Sequence, residues 1–192
     1  MIELETALSD YLETKAQNRL VPGKNSSPAL VALRADLPNV LKSLIERAGY
    51  PAQDFLVKGS VGEPNRSFAK VPWVAVFKTS ICRSATKGYY IVLLFAQDMS
   101  SVTMSLNQGY TAFEERYVHP KVAYPKLRDC ARAARNHLGE IPAGFDLGPI
   151  DLRTDGTLAR GYEAGSILSK TYAAGLTPSH DELFEDFSTL LT

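Results

Sequence analysis

The chain has 192 residues, 45% of them apolar and 22% charged, an ordinary globular composition that can bury a sizeable core within one domain. Its 21 basic and 21 acidic side chains cancel, so net charge selects no partner and only the distribution of charge is informative. No apolar run approaches the roughly 20 residues of a membrane span. The opening Met1-Ile2-Glu3-Leu4-Glu5 has the wrong charge for a signal peptide, so the cytoplasm is the expected location. Cys82 and Cys130 make no disulfide framework and lack the close partners of a zinc site; two reduced thiols are expected.

In chain order, Ile2, Leu4, Leu8, Tyr11 and Leu12 recur at helical spacing and predict a helix over residues 1–19. The breaker cluster 21–27 ends it. Leu30, Leu33, Leu37, Leu41, Leu44 and Ile45 predict a second helix, divided or kinked by Pro38 and closed by Gly49-Tyr50-Pro51. Residues 54–58 read as a short strand running into a polar loop over 59–67, and residues 71–78 as a strand entered by Pro72. Residues 89–95, nearly all apolar, read as a central strand buried on both faces. Residues 101–106 alternate Val102, Met104 and Leu106 with small polar residues and predict a half-exposed neighbour, reached through a tight turn at 98–101.

After Gly109 the chain reads as irregular up to Pro125. Residues 127–138 then predict a helix stopped by Gly139, residues 145–152 a further strand, and residues 181–191 a last helix capped by Ser179. Successive strands on short links favour an antiparallel centre over βαβ units. The predicted fold is α+β: a single domain over residues 1–192, with a central, largely antiparallel or mixed β-sheet flanked by helices.

Familiar catalytic signatures are missing. There is no GxxxxGK[ST] loop, no GxGxxG after a strand and no GxSxG elbow. His119, His137 and His180 fall in different segments with no Cys or carboxylate at ligand spacing, so no metal or other cofactor is expected. Glu13-Thr14-Lys15 matches the E-x-K fragment of metal-dependent nucleases, but it falls on an amphipathic helix where that chemistry wants a strand. A salt-bridged helix surface is the better account, and no enzyme is predicted.

Residues 58–87 hold Lys58, Arg66, Lys70, Lys78, Arg83 and Lys87 against Glu63 alone, one cationic face on a neutral chain. Gly59, Gly62, Pro64 and Asn65 suggest a loop shaped for close approach, with Ser60, Asn65, Arg66 and Ser67 as hydrogen-bonding groups. Lys58, Lys70, Arg83 and Lys87 suit phosphate contacts. Tyr90, Val92 and Leu94 share one strand face and can wall a small pocket; Trp73, beside Pro72, is either core or a stacking platform. A solvated hairpin loop and ordinary core packing are the competing accounts.

The run Phe68-Ala69-Lys70-Val71-Pro72-Trp73-Val74-Ala75-Val76-Phe77, then Gly88-Tyr89-Tyr90-Ile91-Val92-Leu93-Leu94-Phe95, an acidic turn and residues 102–106, resembles the N-terminal DNA-recognition domain of McrB-type modification-dependent restriction enzymes. The similarity to McrB-like N-terminal domains extends through Leu106-Asn107-Gln108-Gly109, residues 162–167 and the segment from Tyr172 to Gly175-Leu176-Thr177-Pro178. The resemblance implies an α/β domain that binds methylated or hydroxymethylated cytosine by base flipping, with Tyr90 and Leu94 at the family's pocket positions. A family tyrosine that supports the opened duplex is matched here by Asn65, which can hydrogen-bond but cannot stack; Arg66 beside it can stack through its planar guanidinium.

Together these features predict the specificity module of a type IV-like restriction system that acts in phage defence. It would bind double-stranded DNA with a modified base, with nuclease activity in a separate domain or subunit and no membrane partner. The rival is a protein-interaction or scaffold domain of the same fold; an unrecognised hydrolase is a distant third.

Overall fold

The apolar run from Tyr89 to Phe95 forms a strand paired on both edges, and the layers packed on the two sides of the sheet bury both its faces from Tyr90 onward. The computed structural model describes residues 1–17, 27–63 and 67–191. Among them the sheet comprises β1 (Phe55–Gly62), β2 (Phe68–Lys78), β3 (Tyr89–Phe95), β4 (Ser101–Gln108), β5 (Asp146–Leu147) and β6 (Leu168–Ala173), in the order β1-β2-β3-β4-β6-β5. Every pairing is antiparallel. The helices are α1 (Ile2–Gln17), α2 (Pro28–Val31), α3 (Leu37–Arg47), α4 (Thr111–Tyr117), α5 (Pro120–Arg135), α6 (Thr157–Gly165) and α7 (His180–Leu191). The architecture is mixed α+β.

The pleat divides the sheet's side chains into two layers. Val74, Val76, Ile91, Leu93, Phe95, Val102 and Met104 join Leu4, Leu8, Leu33, Leu41, Ile45, Leu183 and Phe187 in one core, so α1, α3 and α7 cover that face. Val71, Ala75, Phe77, Tyr90, Val92 and Leu94 point the other way, toward Leu152, Ala159 and Tyr162 of the α6 side. A third cluster of Tyr110, Ala123, Leu127 and Ala164 ties α5 to α6.

The second predicted helix is divided by a π-helical stretch, Ala32–Asp36, between α2 and α3, and Pro38 falls in the first turn of α3. The helical path is continuous through Asp36 and Leu37, so Pro38 falls inside it, next to the π-helical stretch that accommodates the missing N–H and the ring. Ser27 caps α2 by accepting from the Leu30 N–H, and α3 ends at Gly49, whose φ of 83° only glycine adopts freely. At the far end Ser179 and Glu182 cap α7 reciprocally, each side chain bonding the other's backbone N–H.

Four expectations require correction. The polar loop is shorter than predicted, since β1 runs through Gly62 and β2 starts at Phe68; Gly59 and Ser60 are strand residues. β4 is not half-exposed: Thr103, Ser105 and Asn107 are buried because α6 and β6 cover them, and their polar atoms are satisfied there. Much of the stretch between Gly109 and Pro125 is helical, as α4 and the start of α5, with Pro120 at the N-terminus where a proline is tolerated. The strand expected at 145–152 contracts to the two residues of β5.

Candidate nucleic-acid interface

Between the β1–β2 end of the sheet, the 83–86 turn and the first turn of α6 lies a cavity of about 960 Å³. Trp73, Phe77 and Tyr162 give it aromatic walls, with Val71 and Ala159 filling between them. Arg34, Lys58, Lys70 and Arg83 also line it, all four exposed, against the carboxylate of Glu63. Lys70 binds Asp155 at 2.6 Å, and this pairing holds the Asp155 carboxyl below its ordinary range. Lys15 lies close by: burial first, and then the neighbouring Lys70 charge, lower its pKa. The positive charge is therefore concentrated at one mouth.

Long-range contacts hold this mouth open in a set shape. On one side the Tyr11 hydroxyl donates to the Ala69 carbonyl at 2.9 Å, fastening the end of β2 to α1. Gly59 brings β1 against the π-helical stretch, where a Cβ would overlap the Leu33 carbonyl oxygen. The glycine expected to let a loop approach a partner thus lets a strand approach the chain's own helix. On the other side the buried Asn107 amide donates to the Tyr162 carbonyl at 3.0 Å, and the Tyr124 hydroxyl to the Thr157 carbonyl at 2.8 Å. Gly161 packs on the Tyr110 ring with no room for a Cβ. The alternating polar residues of β4 therefore anchor α6, and α6 carries Tyr162 into the wall.

Burial pushes the Tyr162 hydroxyl up to about 12, and a hydrogen bond with the Trp73 side chain works in the opposite direction. The hydroxyl is protonated near neutral pH and retains the ability to donate. It is a polar group inside an otherwise aromatic wall.

The predicted residues divide between the cavity and the strand beside it. Trp73, Lys58, Lys70, Arg83, Ser60 and Ser67 line the cavity. Tyr90 does not: only 3% of it is exposed, its ring packs 5.3 Å from Phe77, and its hydroxyl reaches the Ala85 carbonyl at 3.5 Å. Leu94 is the cross-strand partner of Trp73 and Val92 that of Ala75, both fully covered. These three flank the wall on the neighbouring strand. Lys87 is exposed beside Gly109, outside the cavity lining. Asn65 and Arg66 lie outside the described residues.

Placement of Tyr90 in the core makes a stability prediction. Tyr90→Ala is expected to cost about 3–5 kcal/mol, as large aromatic truncations in a core do. Tyr90→Phe should stay within about 1 kcal/mol, because the 3.5 Å hydroxyl contact is at the limit of a hydrogen bond. Urea titration of both variants checks this, and equal losses would contradict it.

Sequence reasoning missed Tyr162, Phe77, Leu158 and Arg34 as cavity residues. The helical spacing of Ala159 and Tyr162 was a signal, but Gly161 and Gly165 lower helix propensity and obscured α6. Glu13-Thr14-Lys15 does fall on α1, where Lys15 donates to the Ala69 carbonyl at 3.4 Å. Among the described residues no cluster of His, Cys, Asp and Glu is arranged to hold a metal, both cysteines are free, and no helix is long and apolar enough to cross a membrane.

Exposed cations around ring faces are the two components of a nucleic-acid interface, one for the phosphates and one for the bases. The molecule is a DNA-binding specificity module of the kind found in restriction systems. Residues 6–192 match the family described as MrcB-like, N-terminal domain, and the chain belongs to that family. No curated protein and no solved structure matches it.

Proposed function

We propose that residues 1–192 are one recognition domain that binds double-stranded DNA with a modified base, 5-methylcytosine or 5-hydroxymethylcytosine, and holds that base flipped out in the cavity. The observation that carries this reading is the aromatic cavity opening among Arg34, Lys58, Lys70 and Arg83. Lys58, Lys70 and Arg83 bind phosphates, Ser60 and Ser67 add neutral hydrogen bonds, and Trp73 with Tyr162 receives the base. Tyr90, Val92 and Leu94 keep that wall rigid from the neighbouring strand. Lys87 serves phosphates further along the duplex. The module itself does no chemistry; cleavage belongs to a nuclease domain or subunit of a type IV-like restriction system, acting in the cytoplasm as phage defence.

The energetics are consistent with such a reader. Extruding a base costs a few kcal/mol, and stacking on an aromatic side chain returns roughly 1–3 kcal/mol. A methyl group buried against the wall adds about 0.8 kcal/mol, roughly a fourfold preference. A hydroxymethyl group adds a hydrogen-bonding partner for the Tyr162 hydroxyl. Larger discrimination requires the wrong base to leave a buried polar group unpaired.

The deciding experiment is a binding panel of otherwise identical duplexes carrying cytosine, 5-methylcytosine, 5-hydroxymethylcytosine, adenine or N6-methyladenine, each measured at several salt concentrations. The expected result is salt-dependent binding to all and a several-fold preference for a modified cytosine. Equal affinity across the panel would remove the base-reading function. Loss of salt-dependent DNA binding altogether would favour a protein-interaction domain.

A further inference from the structure

Leu158 is the one large apolar side chain on the described cavity lining that is exposed rather than buried or half-buried: 52% of it is open to solvent. Val61, Phe68, Val71, Phe77 and Tyr162, which share the lining, are all buried. An isolated exposed leucine is unremarkable on most surfaces. This one stands at a mouth whose other exposed large side chains are the four cations and Glu63.

The support beneath Leu158 is rigid. The adjoining Thr157 carbonyl accepts from Tyr124 at 2.8 Å, the Gly156 N–H donates to Thr154 Oγ1 at 3.1 Å, and Thr154 in turn donates to Gln97 at 2.9 Å. Three residues on, Gly161 seats α6 on the Tyr110 ring. An exposed apolar side chain on a fixed first turn, next to a cavity and among cations, is the arrangement expected of a wedge that enters a base stack.

We infer that Leu158 is a positioning residue for base extrusion: it fills the space that the extruded base leaves in the duplex and stacks on the orphaned partner. This rests on the reading of the cavity as a base pocket. It assigns gap filling to α6 and not to position 65, where the sequence has an asparagine in place of a ring. A leucine fits the task because covering its side chain with base faces removes apolar area from water without requiring a particular base.

The test uses the tightest-binding duplex of the modification panel and the same duplex with an abasic site opposite the modified base. Extrusion from the second is already cheap and leaves no orphan to support. Leu158→Ala is expected to weaken binding about tenfold on the paired duplex and less than twofold on the abasic one. Leu158→Met should restore most of the paired-duplex affinity. Alanine is a better helix former than leucine and the side chain is exposed, so folding is preserved. Equal losses on the two duplexes, or none on either, would overturn the wedge while leaving the base pocket standing. A parent chain with no preference for any modified duplex would overturn both.

Discussion

Trp73→Ala is expected to abolish the preference for modified DNA and to leave general binding in place. Trp73 is half-buried, lines the cavity and packs in one cluster with Tyr162, so its removal takes away a stacking face and loosens the second wall. Stacking contributes roughly 1–3 kcal/mol per base, enough to remove the specific mode, so the modified duplex falls several-fold, to the affinity of the unmodified one. The complex with unmodified duplex does not use the pocket and weakens by less than twofold. Trp73→Phe keeps a ring while losing the indole N–H, and should retain most of the preference for 5-methylcytosine. Fluorescence anisotropy on paired modified and unmodified duplexes reads both outcomes. An alanine variant that still prefers the modified duplex would move the base elsewhere.

The second large effect lies in the rim. Lys58→Ala with Arg83→Ala removes two exposed cations that line the mouth. Hydrogen bonds between charged groups contribute about 1.5–3 kcal/mol each, so low-salt affinity should fall by roughly a hundredfold or more in the double variant. Each lost phosphate contact also takes about 0.9 from the slope of log affinity against log salt concentration. The ratio between modified and unmodified duplexes should stay near the parent value, because phosphates carry no base identity. This ratio separates the rim from the pocket: Trp73 changes it and the cations do not. Lys70 is the less informative target, since its charge is already shared with Asp155 at 2.6 Å. A double variant with an unchanged salt slope would show that DNA crosses another face.

Tyr90 shows where sequence reasoning stops. Strand alternation correctly groups Tyr90, Val92 and Leu94 on one face. It does not say what covers that face. The resemblance to known DNA-recognition domains points at Tyr90 and Leu94, whereas the aromatic groups on the cavity lining are Phe68, Trp73 and Phe77 of β2 and Tyr162 of α6. Tyr162 lies 72 positions beyond Tyr90 in the chain, and the contact that places it comes from Asn107 on β4. No local pattern encodes that meeting.

Much of the fold was nevertheless legible. Periodicity and caps are local, so α1, α3 and α7 could be read from leucine spacing, Gly49 and the Ser179 cap. The apolar run of β3 and the tight turn before β4 are local as well, and they carry the antiparallel centre with them. Elements whose residues oppose their own propensity were legible only in part or not at all: the helix read over 127–138 caught the second half of α5 and missed its start, and α6 was missed. α5 contains Pro120 and Pro125, α6 contains Gly161 and Gly165, and both are held by tertiary packing on Tyr110, Leu127 and the buried polar side of β4.

By itself the sequence determined the α+β class, the antiparallel centre and the clustering of cations between Lys58 and Lys87, because each depends on neighbours a few residues apart. Only the tertiary structure decided that Lys58, Lys70 and Arg83 share one mouth while Lys87 does not, that Gly59 serves a helix contact, and that Tyr90 is buried beside the wall. The physical reason is that a cavity is the space left between elements distant in the chain. Its walls are chosen by how α6 docks on β4, and that docking is a matter of packing and buried hydrogen bonds that no short window of residues contains.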